Sequence, residues 1–301
     1  MKKITALFFI LVLAVMAVLP MSAAAQELEG TVKIDGSSTV YPITQAMAEE
    51  FSYEYPRVRV TVGVSGTGGG FEKFTIGETA INDASREITK SEAAKAEANG
   101  IEYTKFVVGS DGITVAVNPE NDWVNNITVE ELHQIWKPDS SVQMWSDVRA
   151  EWPDEEIDLY GPGADSGTFD YFTEAIVGEE GASRSDYTAS EDDNVLVRGV
   201  AGNKYAMGYF GYAYYEENQD KLKALSVNGV MPSVKTISNG NYTPLSRPLF
   251  IYVNNAAAKR EEVEAFLKFY FNNAQEIVPQ TGYVPLESYE KALNKLAEIT
   301  N

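Results

Sequence analysis

Segments with the pattern of a β-strand and segments with the pattern of an α-helix alternate along most of the chain. Four valines alternate with other residues over 58–64, as in a half-buried strand. Over 42–51, apolar residues recur every four positions, as on one face of a helix. This alternation predicts an α/β fold whose ligands bind where strands lead into helices. The same patterns predict strands at 31–34, within 106–117, at 205–210 and at 249–253, and helices at 89–100, 128–136, 261–273 and 289–299.

Three of the predicted helices begin with a capping signal, in which a hydroxyl residue precedes an acidic residue by three positions. The side chains of such a pair satisfy backbone N–H groups that have no partner within the helix. We therefore predict helix starts at three places, which are Thr89 with Glu92, Thr128 with Glu131, and Ser190 with Asp193.

The first 25 residues have the pattern of a secretory signal peptide. Lys2 and Lys3 precede an apolar run over 4–19, and alanines at 23–25 resemble a cleavage site. The alternative is a membrane anchor, but the run is shorter than the ~20 residues that cross a bilayer. We therefore predict cleavage near Ala25 and a periplasmic or otherwise extracytoplasmic location.

Composition narrows the classes of function. The chain has no cysteine, so disulfides, thiolate metal sites and thiol catalysis are excluded. Its formal net charge is −20, which makes nucleic acids and anionic membranes poor partners. We predict no cofactor and no metal site. Because an anion would be repelled at long range, any anion site must depend on local hydrogen-bond donors.

Four short segments, each placed after a predicted strand, are rich in glycine, serine and threonine. They span 35–39, 65–70, 83–86 and 163–168. Backbone N–H groups at a helix start, hydroxyl groups and an arginine fork are the donors that suit an oxyanion. Each segment taken alone also fits a helix cap, a flexible turn or a surface charge. The candidate ligand residues are Ser38, Thr39, Ser65, Thr67, Gly68, Asp83, Arg86, Asp165, Ser166, Gly167 and Thr168.

The same segments resemble those of a known family. GSSTVYP at 36–42, SGTGGG at 65–70, ASR at 84–86 and DSGT at 165–168 resemble signature segments of periplasmic phosphate-binding proteins. Those proteins serve the high-affinity phosphate ABC importer. The chain is most similar to the short type found in cyanobacteria. The resemblance continues through 190–194, 208–210 and 282–286, and so covers nearly the whole mature chain.

The resemblance implies a type II periplasmic binding fold, with two α/β lobes and phosphate in the cleft between them. One lobe would comprise 26–112 and 248–301, and the other 113–247. The first would carry the ligand residues up to Arg86, and the second those from Ser166 to Thr168. Longer members have an arginine and an aspartate where this chain has Pro162 and Ala164. The resemblance also implies a monomer that closes on phosphate and delivers it to a membrane permease.

In those longer members an aspartate accepts a hydrogen bond from the proton that phosphate carries and sulfate lacks. Arg86 occupies that aspartate's place here. Asp83 and Asp165 are therefore the candidates for this role, and Arg86 is the expected main cationic contact. Asp83 could instead orient Arg86, and Asp165 could instead cap a helix.

Two alternatives to phosphate capture stay open. One is a binding protein for another tetrahedral oxyanion, such as sulfate, molybdate or tungstate. The other is a phosphate-ester hydrolase on the same fold. A hydrolase needs an activated nucleophile, but the one histidine, His133, lies in a predicted helix away from the serine-rich segments. We therefore expect a binding protein and no enzyme.

Overall fold

The computed structural model describes residues 28–164 and 166–301, so the predicted signal peptide and Asp165 lie outside the described residues. Strands and helices alternate as predicted. The strands are β1 (Gly30–Gly36), β2 (Val58–Val64), β3 (Ile81–Ala84), β4 (Tyr103–Val117), β5 (Asn126–Ile127), β6 (Asp158–Gly161), β7 (Thr188–Ala189), β8 (Ala206–Gly211), β9 (Lys223–Ala224), β10 (Ser226–Val227) and β11 (Ser246–Asn254). The helices are α1 (Tyr41–Glu54), α2 (Gly66–Phe74), α3 (Lys90–Ala98), α4 (Val129–Trp136), α5 (Trp145–Val148), α6 (Gly167–Phe172, continued by the π-helical turn Thr173–Val177), α7 (Asp193–Gly202), α8 (Tyr212–Glu217), α9 (Val234–Ser238), α10 (Asn255–Ala258), α11 (Glu261–Gln280) and α12 (Glu290–Thr300).

One large sheet runs through the molecule. Its strand order is β2-β1-β3-β11-β4-β8-β6-β7, and β9 also pairs with β4. Strand β1 is parallel to β2 and β3, and β6 is parallel to β7 and β8. The long strands β4 and β11 are antiparallel to each other and join these two parallel groups. The fold is therefore α/β, as the alternation predicted.

The buried side chains form separate cores on the two sides of this junction. One core packs helices α1 and α11 together, where the rings of Phe51 and Phe266 meet edge to face at 5.3 Å. Another core contains Trp136, Phe172 and Tyr209, and the last two rings stack at 3.6 Å. The first core draws on residues 28–108 and 249–299, and the second on 113–245 and Val284. This separation favours the predicted lobes 26–112 plus 248–301 and 113–247, which stay a prediction.

Two of the three predicted capping signals are confirmed, because Thr89 with Glu92 and Thr128 with Glu131 each form both hydrogen bonds of a capping box. The third helix also begins where predicted, at Asp193, but Ser190 is not its capping residue. Asp192 caps α7 by accepting a hydrogen bond from the N–H of Asn194. Aspartate is as good an N-cap as serine, so Asp192 can take this role in place of Ser190.

The glycine-rich segment 65–70 forms the start of helix α2, not a loop. Glycine disfavours helices, so a packing reason must offset this cost. A Cβ on Gly70 would lie 2.6 Å from the Cα of Gly36 and would overlap the side chain of Asn82. The absence of a side chain therefore lets α2 pack directly against β1 and β3.

Candidate functional site

A cleft of about 650 Å³ lies where the segments that follow β1, β2 and β3 meet helix α6. Because β1, β2 and β3 are parallel, their carboxyl ends meet at one edge of the sheet. We call the side formed by 37–39, 66–67 and 85–86 the donor wall. We call the opposite side the acidic wall. It is formed by Gly167, Asp170, Tyr171, Glu174, Ala175 and Glu180.

The β1–α1 turn of the donor wall is fixed by its own backbone. The N–H of Ser37 donates to the carbonyl oxygen of Asp83 at 3.0 Å, which joins the turn to β3. The Oγ of Ser37 accepts from the N–H of Thr39 at 3.2 Å. Ser38 and Thr39 are thereby held in the cleft lining by contacts within the protein.

The next two segments of the donor wall are tied to each other. The hydroxyl groups of Thr67 and Ser85 lie 3.1 Å apart, and the N–H of Ser85 donates to the Oγ1 of Thr67 at 3.2 Å. Both residues line the cleft. Three segments that are distant in sequence therefore present their donors in a fixed arrangement, which suits an oxyanion with several acceptor oxygens.

Arg86 lies on the donor wall and is paired with Glu92. Its Nη1 and Nη2 donate to the two carboxylate oxygens of Glu92 at 3.0 and 2.9 Å. Hydrogen bonding to Glu92 raises the pKa of Arg86 above its usual value. The side chain is still 44% exposed, so it retains access to the cleft.

The acidic wall carries negative charge close to where an anion would bind. Ser166 caps α6 by accepting from the N–H of Thr168 at 3.2 Å, which places Gly167 at the cleft. A Cβ on Gly167 would lie 3.5 Å from the Oγ1 of Thr39, so the two walls meet there. Burial and the charge of Glu180 raise the pKa of the Asp170 carboxyl, while the charge of Arg247 opposes that rise.

Arg247 lines the cleft between the two walls, near the start of β11. We call this part of the lining the floor. Its Nη2 lies 3.2 Å from the Oδ2 of Asp111, and its Cζ lies 4.0 Å from the ring centre of Tyr171. Arg247 was not among the predicted ligand residues. The available signal was an arginine two positions before the apolar predicted strand 249–253.

Comparisons with known proteins agree with this architecture. The profile of the PBP superfamily domain matches residues 22–274. Protein SphX of a Synechocystis species is 48% identical over 274 residues, which cover 89% of this chain and 82% of that protein. This chain belongs to the PBP superfamily.

Two further members carry phosphate binding in their names. The phosphate-binding protein PstS of Staphylococcus saprophyticus is 40% identical over 279 residues, which cover 90% of this chain and 86% of that protein. A possible phosphate binding protein from Planctomyces limnophilus, known from its crystal structure, is 48% identical in sequence to this chain. The two structures superpose with a TM-score of 0.83 over 91% of this chain and 100% of that one.

Within this superfamily member, the predicted ligand residues fall into two groups. Ser38, Thr39, Thr67, Arg86 and Gly167 line the cleft. Of the other predicted residues that the structure describes, none is part of the lining. Ser65 donates to Asp35, and Ser166 and Thr168 are engaged with each other at the start of α6. The others are Gly68, which lies in α2, and Asp83.

Asp83 requires a correction, because its side chain is fully buried beneath the donor wall. Alternation along β3 directs it towards α1, where its Oδ1 accepts from the hydroxyl of Thr44 at 3.0 Å. Burial raises the pKa of this carboxyl to about 8, against the effect of the Thr44 hydrogen bond. Asp83 therefore offers no exposed acceptor to a ligand in this structure. Asp165, the other candidate, lies outside the described residues.

His133 is part of α4, and its Nδ1 lies 3.0 Å from the carbonyl oxygen of Ile176. Across 28–164 and 166–301, no set of three or more histidine and acidic side chains is placed to hold a metal ion. No helix in those same ranges has the length and apolar character needed to span a membrane.

Proposed function

We propose that this protein captures inorganic phosphate outside the cytoplasm and delivers it to the membrane permease of an ABC-type importer. One observation carries the proposal. The hydroxyl groups of Ser38, Thr39 and Thr67 converge on one cleft with the guanidinium groups of Arg86 and Arg247. In a chain of formal net charge −20, such a local concentration of donors is what an oxyanion site needs.

Phosphate is favoured over other oxyanions by the relatives. PstS of Staphylococcus saprophyticus is named a phosphate-binding protein, and this chain matches 86% of its length at 40% identity. That name also supports binding without turnover. The serine- and threonine-rich segments that resemble the phosphate-binding family lie at the cleft, at 37–39, 66–67 and at Gly167.

The mode of capture follows from where the donors lie in the chain. The donor wall belongs to the proposed lobe 26–112 plus 248–301, and the acidic wall belongs to 113–247. An anion that bridges them would favour closure of the lobes, which lets a permease distinguish loaded from empty carrier. The carrier is a monomer, because both lobes must face the permease. Its first 25 residues direct its export.

Isothermal calorimetry on phosphate-stripped protein tests this function. We expect one phosphate to bind per chain, with sulfate giving little heat. Heat with molybdate or sulfate and none with phosphate would move the assignment to another oxyanion. A chromogenic phosphate ester offered to the same preparation should not be turned over, and steady hydrolysis would argue for an enzyme.

A further inference from the structure

Arg247 reaches the cleft from a different part of the fold than the four donor segments. It lies on β11, directly opposite Asp111 of β4 in the antiparallel register. These two strands join the two parallel groups of the sheet. The guanidinium group therefore approaches a ligand from the floor, between the two walls.

Three neighbours hold this guanidinium group. Its Nε and Nη2 lie 3.3 and 3.2 Å from the Oδ2 of Asp111. Its Nη2 also lies 3.5 Å from the Oγ1 of Thr39 on the donor wall. Its plane packs over the ring of Tyr171 on the acidic wall, with the Cζ 4.0 Å from the ring centre. The orientation of Arg247 is thus set jointly by the floor and both walls.

The guanidinium group retains donors for a ligand. It has five N–H groups, and its hydrogen bonds within the described residues involve Nε and Nη2 but not Nη1. Its side chain is 19% exposed and lines the cleft, whereas that of Asp111 is 7% exposed. A pair that served only to join the strands would have no need to present its cation to the cleft.

Tyr171 has its own anchor. Its hydroxyl donates to the carbonyl oxygen of Pro244 at 2.6 Å, and the residue is only 6% exposed. Pro244 precedes Arg247 by three positions, so the ring and the guanidinium group are supported by the same stretch of chain. The ring is a fixed surface against which the guanidinium group is oriented.

We propose that Arg247 is a second cationic contact for the bound phosphate, and that Asp111 and Tyr171 are positioning residues that hold its guanidinium group towards the cleft. The inference rests on the proposed function. It gives the oxyanion a cation from the floor in addition to Arg86 on the donor wall. A planar fork shared between a carboxylate and the ligand is a role that lysine fills poorly.

Calorimetry with phosphate tests the contact. We expect Arg247→Gln to weaken phosphate binding at least ~tenfold, as loss of a charge-assisted hydrogen bond does. Arg247→Lys should recover only part of this loss. Arg184→Lys is the matched control, because Arg184 is a buried arginine whose Nε lies 2.6 Å from the Oδ1 of Asp186, away from the cleft lining. It should leave the phosphate affinity within about twofold of wild type.

A double-mutant cycle tests the positioning role. Tyr171→Leu should weaken phosphate binding about two- to fivefold by removing the ring beneath the guanidinium group. Tyr171→Phe keeps that ring but loses the bond to Pro244 that anchors it, so it should weaken binding less than Tyr171→Leu does. If Tyr171 acts through Arg247, the effect of Tyr171→Leu should vanish in the Arg247→Gln background. A merely structural tyrosine would add its cost in both backgrounds.

The outcomes separate this inference from the function beneath it. If wild-type protein binds no phosphate, both fail. If wild type binds phosphate and Arg247→Lys and Arg247→Gln bind it within about twofold, the function stands and the contact is wrong. Thermal unfolding of the phosphate-free variants reports folding, and Arg247→Lys keeps a cation opposite Asp111 should Arg247→Gln not fold. An additive Tyr171→Leu effect would overturn the positioning role.

Discussion

The two walls of the cleft differ in charge and in construction. The donor wall presents hydroxyl groups and Arg86, whereas the acidic wall presents Asp170, Glu174 and Glu180 beside a single glycine. A dianion between them would be attracted by one side and repelled by the other. In a protein of formal net charge −20, an anion site would therefore depend on the local donors of one wall and not on a positive surface.

The walls also differ in how their parts are held. The three segments of the donor wall are joined by the hydrogen bonds of Ser37 to Asp83 and of Thr67 to Ser85, and Arg86 is held by Glu92 of α3. The acidic wall consists mainly of one short helix and its π-helical continuation. The donor wall is thus held together by its own contacts, and donors held in this way reduce the ordering cost of binding.

The largest expected effect comes from filling the point where the walls meet. A side chain at Gly167 would enter the space beside Thr39, where an added Cβ already lies 3.5 Å from the Oγ1. We expect Gly167→Leu to weaken phosphate binding roughly ten- to hundredfold, the range of an overpacked site. Calorimetry measures the change. Gly202→Leu is the control, since no atom lies within 4 Å of a Cβ added there.

Removing the cation of the donor wall should have the next largest effect. We expect Arg86→Ala to weaken phosphate binding about tenfold or more, because a charge-assisted hydrogen bond contributes about 1.5–3 kcal/mol. The matched control is Arg149→Ala. Arg149 pairs with the capping-box residue Glu131 as Arg86 pairs with Glu92, but it does not line the cleft. Equal affinities for the two variants in competition titrations would make Arg86 a surface charge only.

Neutralising the acidic wall should have a smaller effect of opposite sign. Asp170→Asn, Glu174→Gln and Glu180→Gln each remove a negative charge beside the bound dianion. We expect each to strengthen phosphate binding about two- to threefold at low salt, and less at high salt. Glu298→Gln, on the exposed face of α12, is the control. Weaker binding in the three variants would show that these carboxylates accept a hydrogen bond from the ligand.

The sequence located most of the donor wall for a simple reason. Ser38, Thr39, Thr67 and Arg86 each follow a strand, and the ends of parallel strands meet at one edge of a sheet. Arg247 was missed because it lies within a strand and its partner Asp111 is 136 positions away. The register that brings them together is a property of the folded sheet and cannot be found from local pattern.

Two other features depend on packing that a local sequence pattern does not show. The glycines of 65–70 also fit a flexible turn, but they form the start of helix α2, where the absence of a side chain allows close packing against β1. Asp83 is three positions from Arg86, yet it lies within the fully buried strand β3, whereas Arg86 follows that strand and reaches the cleft. All four residues of β3 are buried, so both faces of this strand are covered, and a four-residue pattern does not show this in sequence.

The smallest expected effect on binding belongs to Asp83, which lies beneath the donor wall without facing it. Asp83→Asn should leave the ratio of phosphate to sulfate affinity unchanged in competition titrations, because the side chain has no exposed surface. An amide can still accept the hydrogen bond from Thr44. If the ratio narrows instead, Asp83 accepts a hydrogen bond from the proton of the bound phosphate, and the donor wall must rearrange to expose the Asp83 side chain.

The same substitution should change the pH dependence of stability. Burial raises the pKa of Asp83 from 3.8 to about 8 in the folded protein. Between those values the unfolded chain is ionised while the folded protein holds the proton, so stability falls as pH rises, by up to about tenfold in the folded-to-unfolded ratio per pH unit. Above about pH 8 the loss is complete. Asn cannot ionise, so the melting temperature of Asp83→Asn relative to wild type should increase from pH 5 to pH 8, in phosphate-free buffer. A difference that stays flat over this range would mean that Asp83 is ionised in the folded protein. A buried negative charge would then lie beneath the donor wall, whereas the protonated carboxyl places no charge there.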